Sequence, residues 1–267
     1  MGDRPEEDRL AGLGVVRILA HNPGPMTLSG TNSWLLGDER PLLVDPGPDL
    51  PEHVGAVAAA LAERGGPGAI LLTHAHADHS GALNAIRERF PQAPVYAAAA
   101  RLGGSALTDG QRVGPLSAVA TAGHSPDHFA FVGGGVCFTG DAVLGEGSVF
   151  VAPGEDSLAR YLRALSRLAD EPDLQVICPG HGPAVFEPRE KLLGYVEHRL
   201  EREARLLEAL DSGLRTTDEL LDSAWSDAPQ ALRPAAAVTL AAYLEKLDGE
   251  GRLPGGVERQ QFELGDW

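Results

Sequence analysis

The sequence predicts a layered domain of mixed strands and helices, followed by a helical appendage. Up to about residue 185, short apolar runs closed by Gly, Pro or Asp alternate with amphipathic helical stretches. Beyond about residue 190 the pattern turns almost wholly helical. With 267 residues, 43% of them hydrophobic and 22% charged, the chain can bury a full core.

The elements follow in order. Segments 14–19, 33–36 and 41–44 read as strands, each ending at Gly, Pro or Asp. Residues 51–64 are Ala-rich and read as a helix with Pro51 in its first turn. A short buried strand at 69–72 leads directly into a histidine cluster. Leu83, Ile86 and Phe90 then carry helical spacing across 79–90. Strands are expected around Val95 and Ala118-Val119, and at 129–131 and 136–138. Leu158, Tyr161, Leu162 and Leu165 define one face of a helix over 157–169, and 175–178 is a late strand. Two strand-rich halves, each with helices, suit a layered packing.

Helices are expected at 190–210, 217–224 and 235–247, with Thr216 and Glu219 spaced as a capping box. Residues 249–254 read as a turn and a short terminal strand. Three helices and a small ribbon suggest a winged-helix-like shape. The expected division is therefore 1–195 for the layered domain and 196–267 for the appendage.

A net charge of −16 opposes tight binding to phosphate backbones. In the appendage, Arg199, Arg202 and Arg205 alternate with Glu197, Glu201, Glu203 and Glu208, which reads as a face of mutually paired charges. DNA binding is not expected. Two cysteines, Cys137 and Cys178, exclude a disulfide framework. The acidic start, residues 1–8, has no apolar run behind it, and no stretch is apolar enough to span a membrane. A cytoplasmic location is the expectation.

The chemistry sits in Thr73-His74-Ala75-His76-Ala77-Asp78-His79, at a strand end. His74 and His76, two apart on extended chain, project to one side. Asp78 and His79 follow where the chain turns, and the alanines leave room for close approach. Four nitrogen and oxygen donors crowded into one loop point to a metal site. Gly123-His124, Thr139-Gly140-Asp141 and Pro179-Gly180-His181-Gly182 place further donors in loops, each weak alone.

Taken in this order, the motifs resemble the metallo-β-lactamase superfamily, and most closely its β-lactamase-like protein 2 subfamily. The finer likeness rests on Asn22-Pro23-Gly24-Pro25, Gly30-Thr31-Asn32, Val44-Asp45-Pro46-Gly47 and His198-Arg199. One departure is Ala122, where the family usually has proline. The resemblance implies an α+β fold, a four-layer αβ/βα sandwich with metals at one edge of two packed sheets. It assigns one ion to His74, His76 and His124, and a second to Asp78, His79 and His181. Asp141 and a hydroxide would bridge the two, and Asp78 would also orient the hydroxide. Imidazoles and carboxylates suit Zn2+, two per chain, and tolerate Fe or Mn.

Around this set, Asp45 resembles a family acid that orients ligands, and its alternative is a turn aspartate. His128 is either a partner of the ligands or a packed histidine. His198 is expected at an interdomain contact, Cys178 in the core, and His21 and His53 carry no expected role. The expected function is a metal-dependent hydrolase acting on an ester or thioester small molecule. Cleavage of single-stranded RNA and a binding role with a residual metal site are the alternatives. An RNA partner is disfavoured by the net charge.

Overall fold

The computed structural model describes residues 4–262. Its elements are α1 (Arg4–Gly12), β1 (Val15–Leu19), β2 (Asn32–Leu36), β3 (Leu42–Val44), α2 (Pro51–Ala62), β4 (Ala69–Leu71), α3 (Ala77–Ser80) and α4 (Leu83–Arg89). There follow β5 (Val95–Ala97), β6 (Ser105–Ala106), β7 (Arg112–Val113), β8 (Leu116–Ala120), β9 (Phe129–Gly133) and β10 (Val136–Gly140). The chain then forms α5 (Ser157–Ala169), β11 (Val176–Pro179), α6 (Pro188–Asp211), α7 (Thr217–Ala224) and α8 (Arg233–Gly249). One sheet runs β1-β2-β3-β4-β5-β6 and the other β11-β10-β9-β8-β7.

Strand alternation builds the layers. Val136 and Phe138 point between the sheets with Val176 and Cys178, meeting Trp34, Val44 and Leu71 of the first sheet. Cys137 and Ile177 point the other way, onto α5 to α8. Leu43 and Ile70 pack on α2 and α4 through Val57, Leu61, Leu83 and Ile86. The order is helix, sheet, sheet, helix, as the resemblance implies.

β3 pairs parallel with β4, and β10 with β11. Their carboxyl ends, with that of β8, therefore open on one edge. The segments carrying Asp45, His74, His124, Asp141 and His181 all leave from it.

Four local expectations change. The N-terminal segment forms α1, whose Leu10 is buried between the sheets. The helix expected over 79–90 is two pieces, because the Ala82 N–H donates to Gly47 O, 2.9 Å, instead of to the preceding turn. Residues 249–254 form no strand. The Gly251 and Arg252 N–H groups bond back to Asp248 and Leu247 carbonyls, closing α8, so the helical appendage has no ribbon there. Finally, the alternating charges of α6 do not form one self-paired face: Glu197, Glu201, Arg205 and Glu208 are exposed, but three others are not. Arg199, Arg202 and Glu203 are buried, and their partners lie on other elements. Arg202 pairs with Asp227, and Glu203 with Lys246 and Arg252.

α6 also runs unbroken through residue 195, where the division between domain and appendage was expected. Leu192, Tyr195, Leu206, Leu220 and Tyr243 share one apolar cluster with Val119 and Ile177 of the second sheet.

Candidate metal centre

Three groups of donor atoms, each within 4.8 Å, meet at this edge: His74, His76 and His124; His74, His79 and Asp141; Asp78, His79 and His181. In the first group His76 Nδ1 lies 2.9 Å from His74 Nε2 and 3.1 Å from His124 Nε2. In the third, His79 Nε2 is 3.3 Å from His181 Nε2, and Asp78 Oδ2 is 3.2 Å from His181 Nε2. Asp141 lies between them. Its Oδ1 is 3.3 Å from His79 Nε2, and its Oδ2 is 3.5 Å from His124 Nε2 and 3.3 Å from His181 Nε2. All seven residues expected from the sequence are brought together.

Hydrogen bonds on the far side of each ring assign the tautomers. Asp45, buried after β3, accepts the Thr73 N–H at 2.8 Å, the Thr73 hydroxyl at 2.7 Å and His79 Nδ1–H at 2.9 Å. Having given its proton to Asp45, the Thr73 hydroxyl accepts from His74 Nδ1–H at 3.0 Å. Gly30 O, an acceptor only, takes His181 Nδ1–H at 3.1 Å. When these rings are neutral, the Nε2 lone pairs of His74, His79 and His181 therefore all face the centre. Lone pairs opposed at 3.3 Å, as on His79 and His181, repel unless a proton or cation lies between them.

Without a metal, protons take that place on one side. Burial lowers His79 and His181, but Asp141 and hydrogen bonds to carboxylates outweigh it, raising His79 well above its ordinary value and His181 to about 9. On the other side burial wins: His74 is lowered strongly and His124 to about 4, which leaves neutral donors. For Asp78, burial is outweighed by His79 and His181, and the carboxyl falls to about 2. Asp141 Oδ1 is buried and accepts no hydrogen bond. Neutral imidazoles, two ionised carboxylates and an unsatisfied buried oxygen fit divalent cations.

The surrounding loops are held tightly. Gly180 has no room for a side chain, since a Cβ there would sit 2.5 Å from both Asp141 Oδ1 and His79 Cε1. Asn32 Nδ2 donates to Pro179 O and Gly182 O, at 3.0 and 2.9 Å, fixing the loop that carries His181. Asn22 holds Thr31, whose hydroxyl donates to Asp78 Oδ2 at 3.1 Å. His128 takes the first of its expected alternatives. Its Nδ1 bonds Thr121 Oγ1 at 2.7 Å, and its Nε2 accepts the Asp141 N–H at 3.1 Å.

Beside the donors opens a cavity of about 280 Å³. Its upper wall is apolar: Met26, Leu28, Leu144, Val149 and Phe150, with Leu232 and Ala235 reaching in from the C-terminal helices. The Phe150 ring packs 4.6 Å from that of His124.

The model of the metallo-beta-lactamase superfamily matches residues 26–105, which include the histidine cluster. A β-lactamase-like protein 2 homolog of Caenorhabditis elegans is 33% identical over 95% of this chain and 89% of its own length. This chain belongs to the metallo-β-lactamase superfamily. The atrochrysone carboxyl ACP thioesterase of Aspergillus chevalieri is 32% identical over 92% of this chain and 85% of its own length. A metallo-β-lactamase family protein from Thermus thermophilus superposes with a TM-score of 0.70 at 28% identity, covering 89% of this chain and 94% of that one.

Thr73 and the contribution of Leu232 and Ala235 were not found from the sequence. A threonine before a histidine gives no signal until its neighbour Asp45 is placed. The helical appendage shows its wall only once folded back.

Proposed function

We propose that this chain is a metal-dependent hydrolase of neutral ester or thioester small molecules whose acyl part is apolar, with two divalent cations, zinc favoured, held by the seven donors. The observation that carries the binuclear reading is Asp141, whose two oxygens reach donors of both outer groups. His74, His76 and His124 would hold one cation, Asp78, His79 and His181 the other, and Asp141 would be shared. Bound there, the cations would supply Lewis acidity and lower the pKa of water enough for attack near neutral pH.

The chain's own groups do the rest. Asp78, ionised and tied to Thr31, accepts a hydrogen bond from the attacking water and orients it. Asp45 and Thr73 keep His74 and His79 in the tautomer that presents Nε2. The apolar wall seats the acyl group and excludes bulk water. Such a lining, with Glu146 beside it and a net charge of −16, supports an uncharged acyl substrate over a phosphate chain.

Metal analysis after purification without chelator should give close to two ions per chain. Purified protein should hydrolyse members of a thioester and ester panel and leave single-stranded RNA intact. One ion or fewer after reconstitution with zinc, iron or manganese would sink the binuclear reading. RNA cleavage without ester turnover would sink the substrate class.

A further inference from the structure

The segment 144–150 supplies much of the substrate wall, yet it has no regular structure. Its backbone polar groups still need partners. The Gly145 N–H donates to His181 O at 2.9 Å, and four others find partners on one face of α6, at residues four apart. Lys191 Nζ donates to Gly145 O at 3.0 Å. The Tyr195 hydroxyl accepts the Leu144 N–H at 3.1 Å and donates to Gly147 O at 2.9 Å, pinning the turn at both ends. Arg199 donates to Ser148 Oγ at 2.9 Å and to the Val149 carbonyl.

Arg199 is 3% exposed, and no carboxylate pairs with it among the described residues. A buried guanidinium is costly unless its protons are used; here Nη2 gives both of its bonds to the wall, while the buried Nε has no hydrogen-bond partner among the described residues. Tyr243 fixes the helix from behind, donating to Arg199 O at 2.8 Å. Directly beyond the clamped residues, Phe150 packs on His124. Leu144, Val149 and Phe150 thus stand where Tyr195 and Arg199 hold them.

We propose that Tyr195 and Arg199 are positioning residues that hold the wall 144–150 rigid and so determine which acyl groups the cavity accepts. The assignment rests on the ester and thioester reading above. Neither residue touches the metal donors, so loosening the wall should change substrate fit and leave metal loading alone.

The test compares the full-length metal-loaded protein with its Tyr195→Phe and Arg199→Lys variants. Tyr195→Phe removes only a hydroxyl, and lysine, on a shorter stem, lacks the Nη2 from which both Arg199 bonds to the wall leave. Hydrogen exchange should rise about tenfold or more in the peptide covering 142–152 and stay unchanged in the sheets. Metal content should equal the parent's. KM for the longest acyl esters should rise about tenfold, short-chain KM much less, with kcat within about threefold. Unchanged exchange at 142–152 would overturn the proposal. So would exchange rising through the whole fold, or a fall in kcat that is the same for every acyl length. A parent inert on all esters and thioesters would instead overturn the functional reading, leaving the exchange comparison to decide the clamp.

Discussion

Among single residues, Asp141 has the largest expected effect. Among the described residues it is the one side chain whose oxygens approach His79, His124 and His181 together. Asp141→Ala should remove charge compensation between two cations, with loss of one metal and a fall in turnover of roughly 100-fold or more. A variant with full metal content and near-normal turnover would leave Asp141 as a loop residue only. His181 sets a pH dependence. Raised to about 9 by Asp141 despite its burial, its proton stabilises the metal-free fold fully below the ordinary 6.5. That stabilisation is lost as pH rises through about 9. Metal competes with the proton for Nε2, so metal affinity should climb across this window, with proton release on binding fading above it. Calorimetric titration of metal-free protein in buffers of differing ionisation enthalpy measures this directly. Release that does not vary with pH would show that His181 takes no part in binding.

Among elements, loops at the carboxyl edge do the chemistry and helices hold them. The short α3 shows how. Because Ala82 donates to Gly47 rather than into the helix, the chain breaks after one turn and leaves Asp78 and His79 facing His181. Sequence periodicity reported an unbroken helix there, since Leu83, Ile86 and Phe90 keep their spacing through the break. The capping box at α7 was legible because it is local: Thr216 accepts from the Glu219 N–H, and Glu219 Oε2 from the Thr216 N–H at 2.9 Å. Thr216→Ala should destabilise the protein by about 1 kcal/mol with metal content unchanged. Denaturant unfolding checks this, and a variant as stable as the parent would make the cap incidental.

At the scale of the molecule, the helices after residue 190 belong to the core of the second sheet and to the wall of the cavity. Truncation after residue 195 would cut α6 in mid-course and expose Ile177, Leu192 and Tyr195. We expect it to abolish soluble expression, which a yield comparison against full-length protein measures; a soluble, fully active fragment would contradict the shared core. The basic side chains there are committed, Arg202 and Arg205 to Asp227 and Arg252 to Glu203 and Glu250. Titration with duplex DNA at low salt should accordingly show no salt-sensitive binding by the full chain. No helix among the described residues is long and apolar enough to cross a membrane.

What the sequence determined by itself was whatever short range controls: the strands other than the two-residue β6 and β7, the donors in His74 to His79, and Asp141 and His181 each at a strand end. Those signals survive in one dimension because a donor's chemistry and a strand's alternation are properties of a few neighbouring residues. The resemblance then supplied the grouping of donors that spacing alone could not. Only the tertiary structure decided that one buried acid, Asp45, orients His79 directly and His74 through Thr73, and that Leu232 and Ala235 line the cavity beside the donors. It likewise turned Arg199, Arg202 and Glu203 of α6 inward. Arg199 looks like any solvated helix charge until the segment 148–149 lies against it, because its burial depends on a partner about fifty residues away in the chain.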